Sequence, residues 1–323
     1  MTFLIATRKS KMALAQAQLV ADLLTAREQS LELGFAHGDP VGDRDQISKL
    51  DRHGGKGGAF VAEIRADVLA GRSQCAMHSL KDMPGNEETP GLVIAAYLSR
   101  DDATDALVVR NGLTLENFEA DGAADRKIGT NSIRRAALLK AIYPKAEIIH
   151  FRGAADTRIR KLDEQIPQQL PDGSSVGPAD AIVLATSGLE RIGMSDRVSK
   201  TFRETEMLPA VGQGIVAVEC AREDWETRQR LASIDNAASR TCALAERELL
   251  WILDGHCNSP IAAHARIEGS QLVLDAAVMS HDGNEIIKAA STMESEYPRE
   301  LGRRVGFELL KKGAARLIDA TRP

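Results

Sequence analysis

The sequence predicts an α/β fold: two successive α/β units with a cleft between them, followed by a smaller α+β unit. Three observations predict it. Short apolar runs alternate with Ala- and Leu-rich helical stretches over the first hundred residues, the alternation restarts near Ala106, and the character of the chain changes from about residue 222. A length of 323 residues also exceeds what one ordinary core organises.

The elements follow in order. Residues 3–6 read as a strand and 11–28 as a helix that Ser10 caps. A strand near 31–36 precedes a polar, Gly-rich stretch from His37 to Gly58. A helix over 60–70 and buried strands at 74–77 and 92–97 complete a β-α-β-α-β order, which implies a largely parallel sheet. The second unit has strands at 106–109, 127–129, 147–151 and 181–185, with helices near 132–143 and 155–164 and a short helix after 185. Beyond residue 222 a long helical stretch, broken near Asp235, leads to strands at 261–267, 271–279 and 285–293. The Asp282-Gly283 pair marks a hairpin between the last two, and a final helix spans 297–319.

Composition narrows the function. Apolar residues at 43% and charged residues at 27% fit a globular protein and argue against disorder. A formal charge of −5 gives no general footprint for nucleic acid, so any anion site must be built locally from gathered basic residues. The apolar start at residues 3–6 is followed, not preceded, by Arg8 and Lys9, unlike a secretory signal, and no apolar run approaches the ~20 residues that span a bilayer. The chain is therefore expected to be cytoplasmic, with no membrane partner. Cys75, Cys220, Cys242 and Cys257 form no C-x-x-C pair, so neither a zinc site nor a dithiol is expected, nor any other metal. The first three sit in apolar or helical patterns; Cys257 follows an expected helix end, where a thiol is either an attachment point or a loop residue.

Basic residues recur where strands hand over to helices. Ala6-Thr7-Arg8-Lys9-Ser10, Gly129-Thr130-Asn131-Ser132-Ile133-Arg134-Arg135, and Phe151-Arg152-Gly153 with Arg158 each combine a strand end, hydroxyls or free N–H groups, and a guanidinium fork suited to carboxylates. One instance reads as an ordinary capped helix; three point to one cleft that collects negative groups. His78-Ser79-Leu80-Lys81-Asp82-Met83-Pro84 follows a buried strand and places a carboxylate, Asp82, at its end, able to move protons or stabilise a cation. Gly54-Gly55-Lys56-Gly57-Gly58 lacks the Ser or Thr of a phosphate loop and suits a lid over an anion.

Together ATRKS, GGKG, HSLKDMP, GTNSIRR, FRG with TR, GLERIG, LPAVGQG and GHCNSPI resemble the porphobilinogen deaminase family, in family order over nearly the whole chain. The resemblance implies two lobes like those of periplasmic solute-binding proteins plus a C-terminal α+β domain: 1–98 with a return segment at 199–219, 99–198, and 220–323. It implies a monomeric transferase that carries a dipyrromethane cofactor on Cys257 through a thioether. Four molecules of porphobilinogen are condensed onto it with loss of ammonia, and water then releases hydroxymethylbilane. It assigns Asp82 as the catalytic carboxylate beside the pyrrole cation. Lys81, Ser10, Thr130, Ser132, Arg134 and Arg135 fall to the cofactor, and Arg8, Arg152, Arg158, Arg191 and Lys56 to the carboxylated substrate. The sequence departs from the family at the lid (GGKGGAF, one residue longer than usual), at Arg52, at Ala154 and at His256. Two alternatives stand beside the transferase: a solute-binding module sharing the two-lobed cleft, and a family member whose altered lid has cost it activity.

Overall fold

The computed structural model describes residues 2–38, 58–85, 89–255 and 259–322, with residues 58–60 described by their backbone alone. The chain opens with β1 (Phe3–Arg8), α1 (Lys11–Arg27), β2 (Leu33–Gly38), α2 (Gly58–Leu69), β3 (Cys75–Ser79) and β4 (Leu92–Tyr97). Helix α1 starts where Ser10, in extended conformation, accepts a hydrogen bond from the Ala13 N–H. Its Ala13, Ala17, Val20, Ala21 and Leu24 recur at helical spacing and pack on Phe3, Ile5, Cys75 and Met77 of the sheet.

The second lobe contains β5 (Asp105–Val109), α3 (Leu115–Glu119), β6 (Lys127–Gly129), α4 (Ile133–Ile142), β7 (Glu147–Ile149), α5 (Ala155–Asp163), the small hairpin β8 (Gln168–Gln169) and β9 (Ser175–Val176), β10 (Ala181–Ala185), α6 (Thr186–Arg191) and β11 (Lys200–Thr201). The chain then returns to the first lobe as β12 (Val216–Ala221), followed by α7 (Trp225–Ala232). The two large sheets are five-stranded, ordered β2-β1-β3-β12-β4 and β11-β5-β10-β6-β7.

Each sheet is largely parallel, as the order of elements implies, with one of its five strands reversed. Strand β12 runs antiparallel to β3 and β4, and β5 runs antiparallel to β10. The connectivity is the reason. Each of these strands arrives from the opposite lobe and enters its sheet at the end that faces the crossing, against the direction of the strands that lead out there. Exchange between lobes also falls later than residues 199 and 219: Lys200 and Thr201 still pair with β5, and Leu231 and Ile234 complete the first-lobe core.

The third domain contains α8 (Ala237–Ile252), a meander of β13 (Ile261–Glu268), β14 (Gln271–Met279) and β15 (Ile286–Glu294), then α9 (Pro298–Lys311) and α10 (Ala314–Asp319). Its core gathers Leu249, Ile261, Leu274, Leu301 and Leu309. The expected single final helix is broken at Gly313, whose φ of 93° is left-handed. The C-terminal domain also closes over the second lobe, where Ala262, Ala277 and Met279 join the core around Leu107 and Phe202.

This topology decides where chemistry is located. Arg8 ends β1, Ser79 ends β3, Gly129 ends β6 and Ile149 ends β7, so the three strand-to-helix basic motifs and the Asp82 turn all follow a strand at its carboxyl end. Open α/β sheets bind ligands at those ends. Helices α1 and α6 from opposite lobes approach there, and Lys11 Nζ of α1 lies 3.8 Å from Asp156 Oδ2 of α5 across the gap.

Candidate active site

Asp82 sits in a single 3-10 turn (Leu80–Asp82) directly after β3. The Met83 N–H closes the turn on the Leu80 carbonyl, and the Leu80 N–H binds the Ile215 carbonyl of the return segment. The turn is thus held by the backbone, which leaves the carboxylate half exposed at the cleft. Arg8 Nη1 lies 4.0 Å from Asp82 Oδ2, and a small cavity beside them is lined by Gln16, Val61, His78 and Ser79. Gln16 and Ser79 exchange hydrogen bonds of 2.9 and 3.1 Å.

Beneath this turn, Glu219 takes both arms of Arg65 (2.8 and 2.9 Å) and lies 3.1 Å from His78 Nε2. Burial would raise the Glu219 carboxyl, but His78 and Arg65 hold it down at about 2. Arg65 belongs to α2, so this pair fixes that helix to the strand next to β3.

The second lobe supplies the guanidinium groups. Ser132 caps α4 by accepting from the Arg135 N–H, and Thr130 Oγ1 accepts from the Ser132 N–H at 3.2 Å. Arg134 and Arg135 therefore stand in the first turn of α4, and both are buried. Both grip Asp105: Arg134 Nη2 at 2.7 Å, Arg135 Nη2 at 2.7 Å and Nε at 3.1 Å. They also donate to the carbonyls of Leu208 and Val183. Asp105 is fully buried. Burial alone would raise its carboxyl; the two guanidinium charges outweigh that and hold it well below the usual carboxylate range.

Gln213 joins the same carboxylate through Nε2 (3.0 Å), and its Oε1 accepts from Lys81 Nζ (3.3 Å). Lys81 is open to cleft solvent but surrounded by protein. That loss of hydration and the charge of Arg135 pull its ammonium down to about 8, against the attraction of Asp82. Arg158 donates Nε to the Gly153 carbonyl at 2.7 Å. Burial, then Arg135 and Arg152, lower it to about 10, and Asp82 opposes them. Arg152 itself is buried. One field therefore joins Asp82 of the first lobe to Lys81, Arg135, Arg152 and Arg158.

Arg191 is placed elsewhere. Its Nε donates to Asp101 (2.8 Å) and its Nη2 to the Gly214 carbonyl (2.8 Å), both on the segments that cross between lobes. Ser10 is the cap of α1. Lys56, His256 and Cys257 lie outside the described residues, as does most of the lid. The flanks of 256–258 are described. Gly85, three residues past Asp82, abuts Leu250 of α8 so closely that a Cβ there would meet Leu250 Cδ1 at 2.3 Å, and Gly255 touches Leu250 and Ile261 in the same way. The loop after Asp82 and the Gly255 flank thus share one side chain. Cys75, Cys220 and Cys242 are buried, and burial raises all three thiols, Cys220 and Cys242 to about 11. Buried, protonated thiols are poor attachment points. No cluster of metal-binding side chains occurs among the described residues.

Sequence reasoning missed Asp105 and Gln213. The available signal for the first was indirect: adjacent arginines at the start of an apolar helix need a counter-charge when buried.

Comparison with known proteins agrees with the motifs. Residues 3–229 match the family described as porphobilinogen deaminase, dipyromethane cofactor binding domain, and residues 240–311 match its C-terminal domain. Porphobilinogen deaminase 2 of Streptomyces coelicolor is 38% identical over 317 residues, covering 98% of this chain and 96% of that protein. The porphobilinogen deaminase of Xanthomonas axonopodis pv. citri is 40% identical over 317 residues, covering 98% of each. Among solved structures, the BvgS VFT2 domain of Bordetella pertussis covers 72% of this chain and 86% of its own, at 16% identity and a TM-score of 0.40, and carries no argument about this site.

Replacing Asp105 by Ala leaves two buried guanidinium groups without their counter-charge and is expected to lower stability by about 3–5 kcal/mol in urea unfolding. Because the Asp105 carboxyl is depressed in the folded state, its contribution is complete above the ordinary carboxylate range and fades as pH falls toward the depressed value. An Asp105→Ala protein as stable as its parent would contradict this charge balance.

Proposed function

The chain belongs to the porphobilinogen deaminase family, and from that premise we infer that it is a hydroxymethylbilane synthase, a transferase of tetrapyrrole biosynthesis that condenses porphobilinogen with loss of ammonia. The observation that supports it most is Asp82, a carboxylate facing a cleft whose other charged groups are mostly guanidinium and ammonium, drawn from both lobes.

The residues present fit the family's dipyrromethane. Its acetate and propionate groups suit a cationic donor set, and Arg134 Nε is buried with no hydrogen-bond partner among the described residues. Cys257 would hold the group as a thioether, with Lys81, Ser10, Thr130, Ser132, Arg134 and Arg135 around it. When bound, it supplies a pyrrole carbon that acts as the nucleophile toward the incoming substrate unit. The chain's own residues do the rest. Arg8, Arg152 and Arg158 bind substrate carboxylates by paired N–H donors, and Lys56 joins them from the lid. Asp82 stabilises the cation that remains on the substrate when ammonia departs, and takes or gives the proton at the pyrrole nitrogen. Arg191, assigned to substrate by resemblance, is better suited by its bonds to Asp101 and Gly214 to hold the lobes at the angle this requires.

We extend the proposal to a cytoplasmic monomer, which rests on the family resemblance. No helix among the described residues is long and apolar enough to cross a membrane. The solute-binding alternative gains nothing from the buried Arg134–Asp105–Arg135 group, which is committed to geometry rather than to an exchangeable solute.

Asp82→Asn is expected to keep the melting temperature and lose about 10²- to 10⁴-fold in turnover, read as ammonia release and as uroporphyrin absorbance after oxidation. Normal turnover would remove Asp82 from the chemistry, and a wild-type chain that leaves porphobilinogen unchanged would overturn the reading. Lys81 is cationic below about 8 and neutral above it, so kcat/KM for porphobilinogen should fall as pH rises through that value, and Lys81→Arg should flatten that fall. Arginine carries a charge that does not titrate there; an unchanged profile in that variant would exclude Lys81 as its source.

A further inference from the structure

Gln213 is fully buried at the crossing between lobes, and its amide is oriented without ambiguity. Nε2 faces three acceptors: the Ala103 carbonyl at 2.7 Å, the Thr104 carbonyl at 3.2 Å and Asp105 Oδ1 at 3.0 Å. Only the nitrogen end can satisfy acceptors, so Oε1 must point the other way, where Lys81 Nζ donates to it at 3.3 Å.

The backbone of Gln213 is equally constrained. Its carbonyl accepts from Arg100 Nε at 2.9 Å. Arg100 also donates to Glu246 at 2.6 Å, and the buried Glu246 carboxylate accepts from the Gly212 N–H (2.6 Å) and the Ala265 N–H (2.8 Å). Gly214, with φ of +88°, lets the chain turn so closely that a Cβ there would meet the Asp101 carbonyl at 2.5 Å. One residue thus bonds to the C-terminal domain through Arg100 and Glu246, to the second lobe through Asp105, and to the first lobe through Lys81.

A lysine on a cleft surface samples many rotamers, and its ammonium has no intrinsic direction. A single acceptor, itself fixed by three hydrogen bonds, removes that freedom. It does so from the same carboxylate that fixes Arg134 and Arg135. Resting on the function proposed above, we infer that Gln213 is a positioning residue of the condensation: it aims the Lys81 ammonium into the cleft beside Asp82 and keeps that aim in register with the Arg134–Arg135 pair.

A double-mutant cycle on the holoenzyme tests this, with kcat and KM for porphobilinogen measured separately. Gln213→Met keeps the side chain's volume and removes both ends of the amide; losing one hydrogen bond to a charged group should lower kcat/KM about tenfold or more. In a Lys81→Met background the same change should cost several-fold less, because only the share that Gln213 exerts through Asp105 remains. Gln213→Asn, which retains a buried amide too short to reach both Asp105 and Lys81, repeats the cycle if the Met variant does not fold. Equal losses in both backgrounds, or no loss with lysine present, would overturn the role of Gln213. An inactive wild-type enzyme would instead sink the activity on which the inference rests, so the two failures are distinguishable.

Discussion

The cleft depends on one buried carboxylate. Asp105 has no exposed surface, and it binds Arg134, Arg135 and Gln213 together. Two guanidinium groups in the first turn of a helix, away from water, would be strongly disfavoured without it. With one carboxylate against two arginines, the group retains net positive charge, and its geometry is fixed before any ligand arrives. Such prior arrangement is what electrostatic stabilisation of a reacting ion requires, because no dipole has to turn during the reaction.

The first lobe complements this with an anion held more loosely. Asp82 is positioned by a backbone turn, at a side-chain exposure of 37%, so solvent and ligand both reach it. Behind it the Arg65–Glu219–His78 group anchors α2 to the sheet. Between lobes the deep connections lie at the crossing, through Arg100, Arg191 and Gln213, whereas the outer contact of Lys11 with Asp156 is exposed and contributes little.

Much of this was legible in the sequence. Apolar periodicity located α1, β4, α4, β10 and β14 to within a residue or two, and the handover from strand to helix located Arg8, Ser132 and Arg152 at or just past the carboxyl ends of strands. What escaped had a physical cause in each case. The antiparallel β12 reads as an ordinary apolar run, and only the partner it finds 137 positions earlier, at Ser79 opposite Val216, shows its direction. Asp105 looks like a polar strand end until the burial of Arg134 and Arg135 is known. Gln213 carries no charge and no periodicity, and its importance comes from hydrogen bonds to residues remote in sequence. Arg191 resembles a ligand residue by motif, yet its bonds lie on the crossing.

Tethering of a carboxylated pyrrole oligomer to the C-terminal domain is the central claim, and intact-mass measurement reaches it most directly. Wild-type protein expressed with porphobilinogen supply should weigh more than its polypeptide by a dipyrromethane, and the Cys257→Ser protein should show only the mass of its chain. An unmodified wild-type mass, or the same added mass on the serine variant, would contradict attachment at that sulfur and leave the arginine-lined cleft without its anchored ligand.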